Sequence, residues 1–119
     1  MSVAEVKKEV AQNTVRDARE VLGLSDAEIG LVVGANRRTV QRWWRRASAP
    51  TPEHQARMEE IREIVHLLGV VLPGREVAQR WFHSPVDMLR GRTPVSLVQQ
   101  GRADEVISVL AGLASGAHI

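Results

Sequence analysis

Eleven residues, NRRTVQRWWRR from Asn36 to Arg46, hold five arginines, two adjacent tryptophans and no acid. A guanidinium can donate two hydrogen bonds to O6 and N7 of guanine or neutralise a phosphate, so the stretch could read double-stranded DNA. The same composition also suits a solvated basic helix whose tryptophans only hold a core. Enzymatic chemistry has far less to work with. His54, His66, His83 and His118 are widely separated and form no HExxH or comparable ligand pair. No serine sits in a GxSxG elbow, the glycines make no phosphate loop, and cysteine is absent. Glu59-Glu60 and Asp104-Glu105 are adjacent pairs that point to different sides of a helix, as expected of solvated faces. No enzyme, metal or cofactor is therefore expected.

The arginines need a scaffold to present them. The 119 residues, 44% hydrophobic but only 3% aromatic, allow a modest core of Val, Leu, Ile and Ala, with Trp43, Trp44, Trp81 and Phe82 as rare large anchors. Charge is unevenly placed. Residues 1–50 carry 9 Lys/Arg against 6 Asp/Glu, residues 51–119 carry 7 against 8, and nothing acidic lies between Glu28 and Glu53. A basic patch in a chain of net charge +2 suggests one localised anionic partner. With no apolar run near a membrane span, no signal-peptide core and no cysteine, a soluble cytoplasmic protein is expected.

Apolar spacing predicts an all-α fold. Val3, Val6, Val10, Thr14, Ala18, Val21 and Leu22 form the stripe of a first helix ended by Gly23. Ser25, with Glu28 in capping-box position, opens a short helix burying Ile29, Val32 and Val33 and stopped by Gly34. Asn36 caps a third helix in which Val40, Trp43 and Trp44 share one face and the arginines fall elsewhere. ASAPTP, Ala47 to Pro52, breaks it and divides residues 1–52 from 53–119. A long helix over Glu53 to Leu72, a shorter one carrying Val77, Trp81 and Phe82, and small helices joined by tight turns follow. The last is expected over Ala103 to Ser115.

A short helix, a glycine turn and a polar second helix are the parts of a helix-turn-helix. LSDAEIGLVVGANRRTVQRWWRR resembles that of the Xre/Cro repressors. The resemblance implies Arg37, Arg38 and Arg42 as base readers and Asn36, Thr39, Gln41 and Arg45 as phosphate or accessory contacts. Gly30 would then let the helices approach closely, and a dimer is expected because specific binding normally takes two half-sites.

Residues 77–116 resemble a second family module, the C-terminal toxin-binding domain of Xre/MbcA/ParS-type antitoxins. The pattern falls on Trp81, Pro85, Leu89, Gly91, Thr93, Pro94, Leu97, Gly101, Val106, Leu110 and Gly116, with Val86 where the family often has Asn. The resemblance implies an antitoxin that blocks a RES-domain, NAD-consuming toxin and represses its own operon. It places Gly116, Ala117, His118 and Ile119 at the toxin's active-site entrance, with Arg90, Arg92 and Arg102 on the supporting surface. Trp81 and Leu110 are expected in the core, and Gly91 and Gly101 at turns. The alternative is a stand-alone transcriptional regulator whose second half serves dimerisation or ligand sensing.

Overall fold

The computed structural model describes residues 1–116, which form seven α-helices, one 3₁₀ turn and no strand. The all-α expectation holds. Helix α1 (Val3–Glu20) is capped by the Ser2 hydroxyl, which accepts from the Glu5 amide at 3.1 Å. Its buried face is Ala11, Thr14, Val15 and Ala18, continued by Leu22. Val3, Val6 and Val10 are exposed, contrary to the expected stripe, because the first two turns run past the core. Small Ala11 and Ala18 let α1 lie close to its neighbours, an advantage that ranking residues by hydrophobicity conceals.

Helices α2 (Asp26–Val33) and α3 (Arg37–Trp44) follow, each with the predicted N-cap. Helix α4 (Pro52–Val71) begins at the proline read as a breaker. Thr51 accepts from the His54 amide, and Pro52 occupies the first helical position, where its missing N–H costs nothing. Met58, Ile61, Ile64, Leu67 and Leu68 make α4 the central post, packed on α1 and α2 on one side and on α7 on the other.

Helix α5 (Arg75–Phe82), a 3₁₀ turn (Asp87–Leu89), α6 (Pro94–Gln99) and α7 (Ala103–Ser115) complete the chain. Phe82, not Trp81, is the aromatic that fills this part of the core: Phe82 is fully buried and Trp81 packs half-exposed at its edge. Leu110 is buried as expected, and Gly91 and Gly101 take positive φ at turns. Val86 is buried, and its backbone pairs with that of Arg92, so the turn closes without a capping side chain at that position.

One buried cluster joins the residues before and after Pro52. Two side chains of α5 reinforce the junction by reaching the end of α1. Gln79 Nε2 donates to the Glu20 carbonyl at 2.9 Å, and His83 Nε2 donates to the Leu22 carbonyl at 2.7 Å.

Candidate functional site

The first site is built on α2, the turn after it and α3. Ser25 and Glu28 complete a capping box, the hydroxyl accepting from the Glu28 amide and the carboxylate from the Ser25 amide. That backbone hydrogen bond, then the one with the hydroxyl, holds the Glu28 carboxyl below its ordinary range. Gly34 turns the chain in the left-handed region, φ +77°. Gly30 is the close-approach position, although its neighbour is the turn and not the second helix: a Cβ there would stand 2.4 Å from the Ala35 carbonyl oxygen. The Asn36 side chain then accepts from the Thr39 amide at 2.8 Å and starts α3.

On α3, Val40 and Trp43 are buried, and Trp43 meets the His54 ring edge-on at 5.1 Å between centroids. His54 Nε2 in turn donates to the Gly34 carbonyl at 3.3 Å, so α4 braces both the turn and the helix. With that face committed, Arg37, Arg38, Arg42 and Arg45 stand exposed, and together with half-buried Gln41 they line one open hollow of about 500 Å³. No acid lies within ion-pair distance of these four arginines among the described residues. Five of the seven residues implicated by the repressor resemblance are thus brought together. Asn36 and Thr39 stand apart from the hollow, their shared hydrogen bond serving the helix start. Sequence reasoning passed over Arg46, which is exposed and ends α3 in the left-handed region at φ +57°. Its place in the five-arginine run was the available signal.

A second surface lies at the other end of the chain. Arg90, Arg92 and Arg102 line one cleft of about 460 Å³ with Met88, Asp104, Glu105 and Val109. They are brought together, but not equally free. Arg92 Nη2 donates to Glu105 at 3.1 Å and Arg102 Nε to the other oxygen of the same carboxylate. The Arg102 hydrogen bond foremost, and the charge of both arginines, hold the Glu105 carboxyl below its ordinary range. Glu105 is therefore a clasp, whereas the sequence suggested only a solvated face. Arg90, in the left-handed conformation, has no such partner among the described residues, and exposed Met88 beside it was missed because a lone methionine carries no pattern. Gly116 closes α7, with φ +71° and its amide donating to Leu113 at 3.3 Å. Ala117, His118 and Ile119 lie outside the described residues.

No cluster of histidine and carboxylate side chains able to hold a metal occurs among the described residues, and no helix among them is long and apolar enough to cross a membrane.

Comparison with known proteins bears on both surfaces. Residues 66–116, from the last turns of α4 to the end of α7, match the family described as the antitoxin Xre/MbcA/ParS C-terminal toxin-binding domain. The mycobacterial cidal antitoxins MbcA of Mycobacterium tuberculosis and Mycobacterium bovis are 34% identical over 110 residues, covering 92% of this chain and 96% of theirs. A solved structure, that of the M. tuberculosis MbcT–MbcA toxin–antitoxin complex, contains a chain that superposes with a TM-score of 0.69 at 34% identity, over 91% of this chain and 96% of that one. Agreement of this extent, through both the arginine-bearing helices and the C-terminal cleft, shows that the chain belongs to the Xre/MbcA/ParS family of antitoxins.

Proposed function

We propose that this antitoxin restrains a RES-domain, NAD-consuming toxin with residues 53–119 and represses its own operon with residues 1–52. The observation that carries the first half is the near full-length match to MbcA, a protein crystallised with the toxin MbcT. The contact is assigned to the cleft of Arg90, Arg92 and Arg102, with Gly116, Ala117, His118 and Ile119 entering the toxin's active site. Gly116 and Ala117 are small and Ile119 is branched and apolar, which suits entry into a narrow cleft that binds NAD⁺. Because Glu105 already clasps Arg92 and Arg102, these two shape the surface, and Arg90 and Met88 are the side chains free to meet a partner.

The second half rests on α3. Its apolar face is consumed by the core, and its three exposed arginines, with Arg45 and Arg46 just after it, have no protein counter-charge among the described residues. Arg37, Arg38 and Arg42 are assigned to base edges, and Asn36, Thr39, Gln41 and Arg45 to phosphates or supporting contacts. A homodimer presents two such helices to two half-sites about one DNA turn apart, in the cytoplasm.

Titrating the chain into labelled DNA from upstream of its own gene, at several salt concentrations, tests this. Arg42→Ala should cost roughly 1–3 kcal/mol on the operator and little on scrambled DNA. Arg45→Ala should weaken both alike and reduce the salt slope by about 1. Equal binding of operator and scrambled DNA by the native chain would refute the repressor half.

A further inference from the structure

The C-terminal end of α3, where Arg42 and Arg45 project, is fastened to the rest of the fold by α1. Gln12 Nε2 donates to the Trp44 carbonyl at 2.9 Å. The Arg19 guanidinium lies over the Trp44 indole, 4.3 Å from its centroid, with Arg16 farther off at 5.9 Å. The same guanidinium forks a carboxylate: Arg19 Nε and Nη2 donate to the two oxygens of Asp26 at 2.9 and 3.0 Å. Asp26 is the first residue of α2. One planar cation on α1 therefore touches the start of α2 and the end of α3 at once.

We propose that Arg19 is a positioning residue for DNA recognition, setting the pitch of α3 against α2 so that the base-facing arginines keep their register. The inference rests on the repressor half of the proposed function. Three features support it. First, only a flat guanidinium can fork Asp26 with two nitrogens while lying on the Trp44 ring, so lysine cannot do both although it keeps the charge. Second, Arg19 and Asp26 side chains are only 30% and 19% exposed, and the nitrogens that face Asp26 are committed to it, which removes them from phosphate contact. Third, Trp44 is half-buried at the rim, where a stacked cation can hold it as the fully buried Trp43 anchor cannot. Recognition tolerates only about 0.5 Å or 10–20° of misplacement, so a modest tilt of an eight-residue helix reaches the arginine tips.

The test uses the full chain, its own upstream DNA and a scrambled duplex, with binding measured across a salt series. Arg19→Lys should weaken operator binding about tenfold, the worth of one base contact, while scrambled-DNA binding and the salt slope stay unchanged. Asp26→Asn, which keeps the shape and loosens the fork, should act in the same direction. Combining Arg19→Lys with Trp44→Leu should cost less than the two separate losses together. A lowered melting temperature with unchanged operator affinity would reduce Arg19 to a fold-stabilising residue and overturn the proposal. Equal weakening on both duplexes with a salt slope reduced by about 1 would make it a phosphate contact and overturn it too. Failure of the native chain to prefer its operator would overturn the repressor assignment and this inference with it, and is distinguished by needing no variant.

Discussion

Ser25 and Glu28 show how a local motif in this chain becomes a measurable property. Glu28 is ionised more readily in the fold than in the open chain, first because the Ser25 amide donates to its carboxylate and then because of the Ser25 side chain. A lowered folded pKa stabilises the protein above the ordinary glutamate range, and that contribution disappears as pH falls through the folded value. Glu28→Gln keeps an acceptor for the Ser25 amide but cannot titrate. Urea melts should therefore show the native chain's stability advantage over Glu28→Gln shrinking as pH drops below the ordinary glutamate range; an advantage that grows with acid contradicts the assignment. Gly30 is the other residue whose reason is steric. With the Ala35 carbonyl 2.4 Å from any Cβ, Gly30→Ala forces backbone to move and should destabilise by roughly 1–3 kcal/mol in thermal melts. A neutral substitution would mean the turn yields freely. Both residues were legible in the sequence, since a capping box and a glycine inside a helix are local signals.

Elements were legible where their ends carry chemistry and obscure where packing decides. Asn36 and Gly34 marked α3 and its preceding turn, and α7 covers Ala103–Ser115 as its apolar spacing required. Pro52 misled by one position, since a proline after Thr51 starts a helix as readily as it stops one. The exposed Val3, Val6 and Val10 and the half-exposed Trp81 misled more, because periodicity identifies a helix but not which stripe meets a neighbour. Phe82 and Trp81 are adjacent and point to different sides of α5, and only the tertiary contact shows that Phe82 faces inward. Phe82→Ala should cost roughly 3–5 kcal/mol and Trp81→Ala clearly less in chemical denaturation. The reverse order would place the core on the wrong side of α5. The Arg92–Glu105–Arg102 clasp was likewise invisible in sequence, its members coming from the turn before α6 and from the start of α7.

At the scale of the molecule, two surfaces of different chemistry share one core: a crowd of uncompensated arginines on α3, and a cleft with Arg90 and Met88 free beside a neutralised Glu105. α4 joins them, bracing α3 and its turn through His54 and packing along α7 with its apolar face. Should binding at one surface bias the other, the coupling must be reciprocal. Family membership identifies an antitoxin, and the proposed function adds that residues 116–119 close an NAD-consuming active site. The decisive experiment measures NAD⁺ consumption by a purified candidate RES-domain toxin, alone, with the full chain, and with a chain lacking residues 116–119. The intact chain should abolish consumption at stoichiometric amounts, and the shortened chain should still bind but leave consumption largely intact. Full inhibition by the shortened chain would contradict the plug, and no effect of the intact chain would contradict the claim altogether.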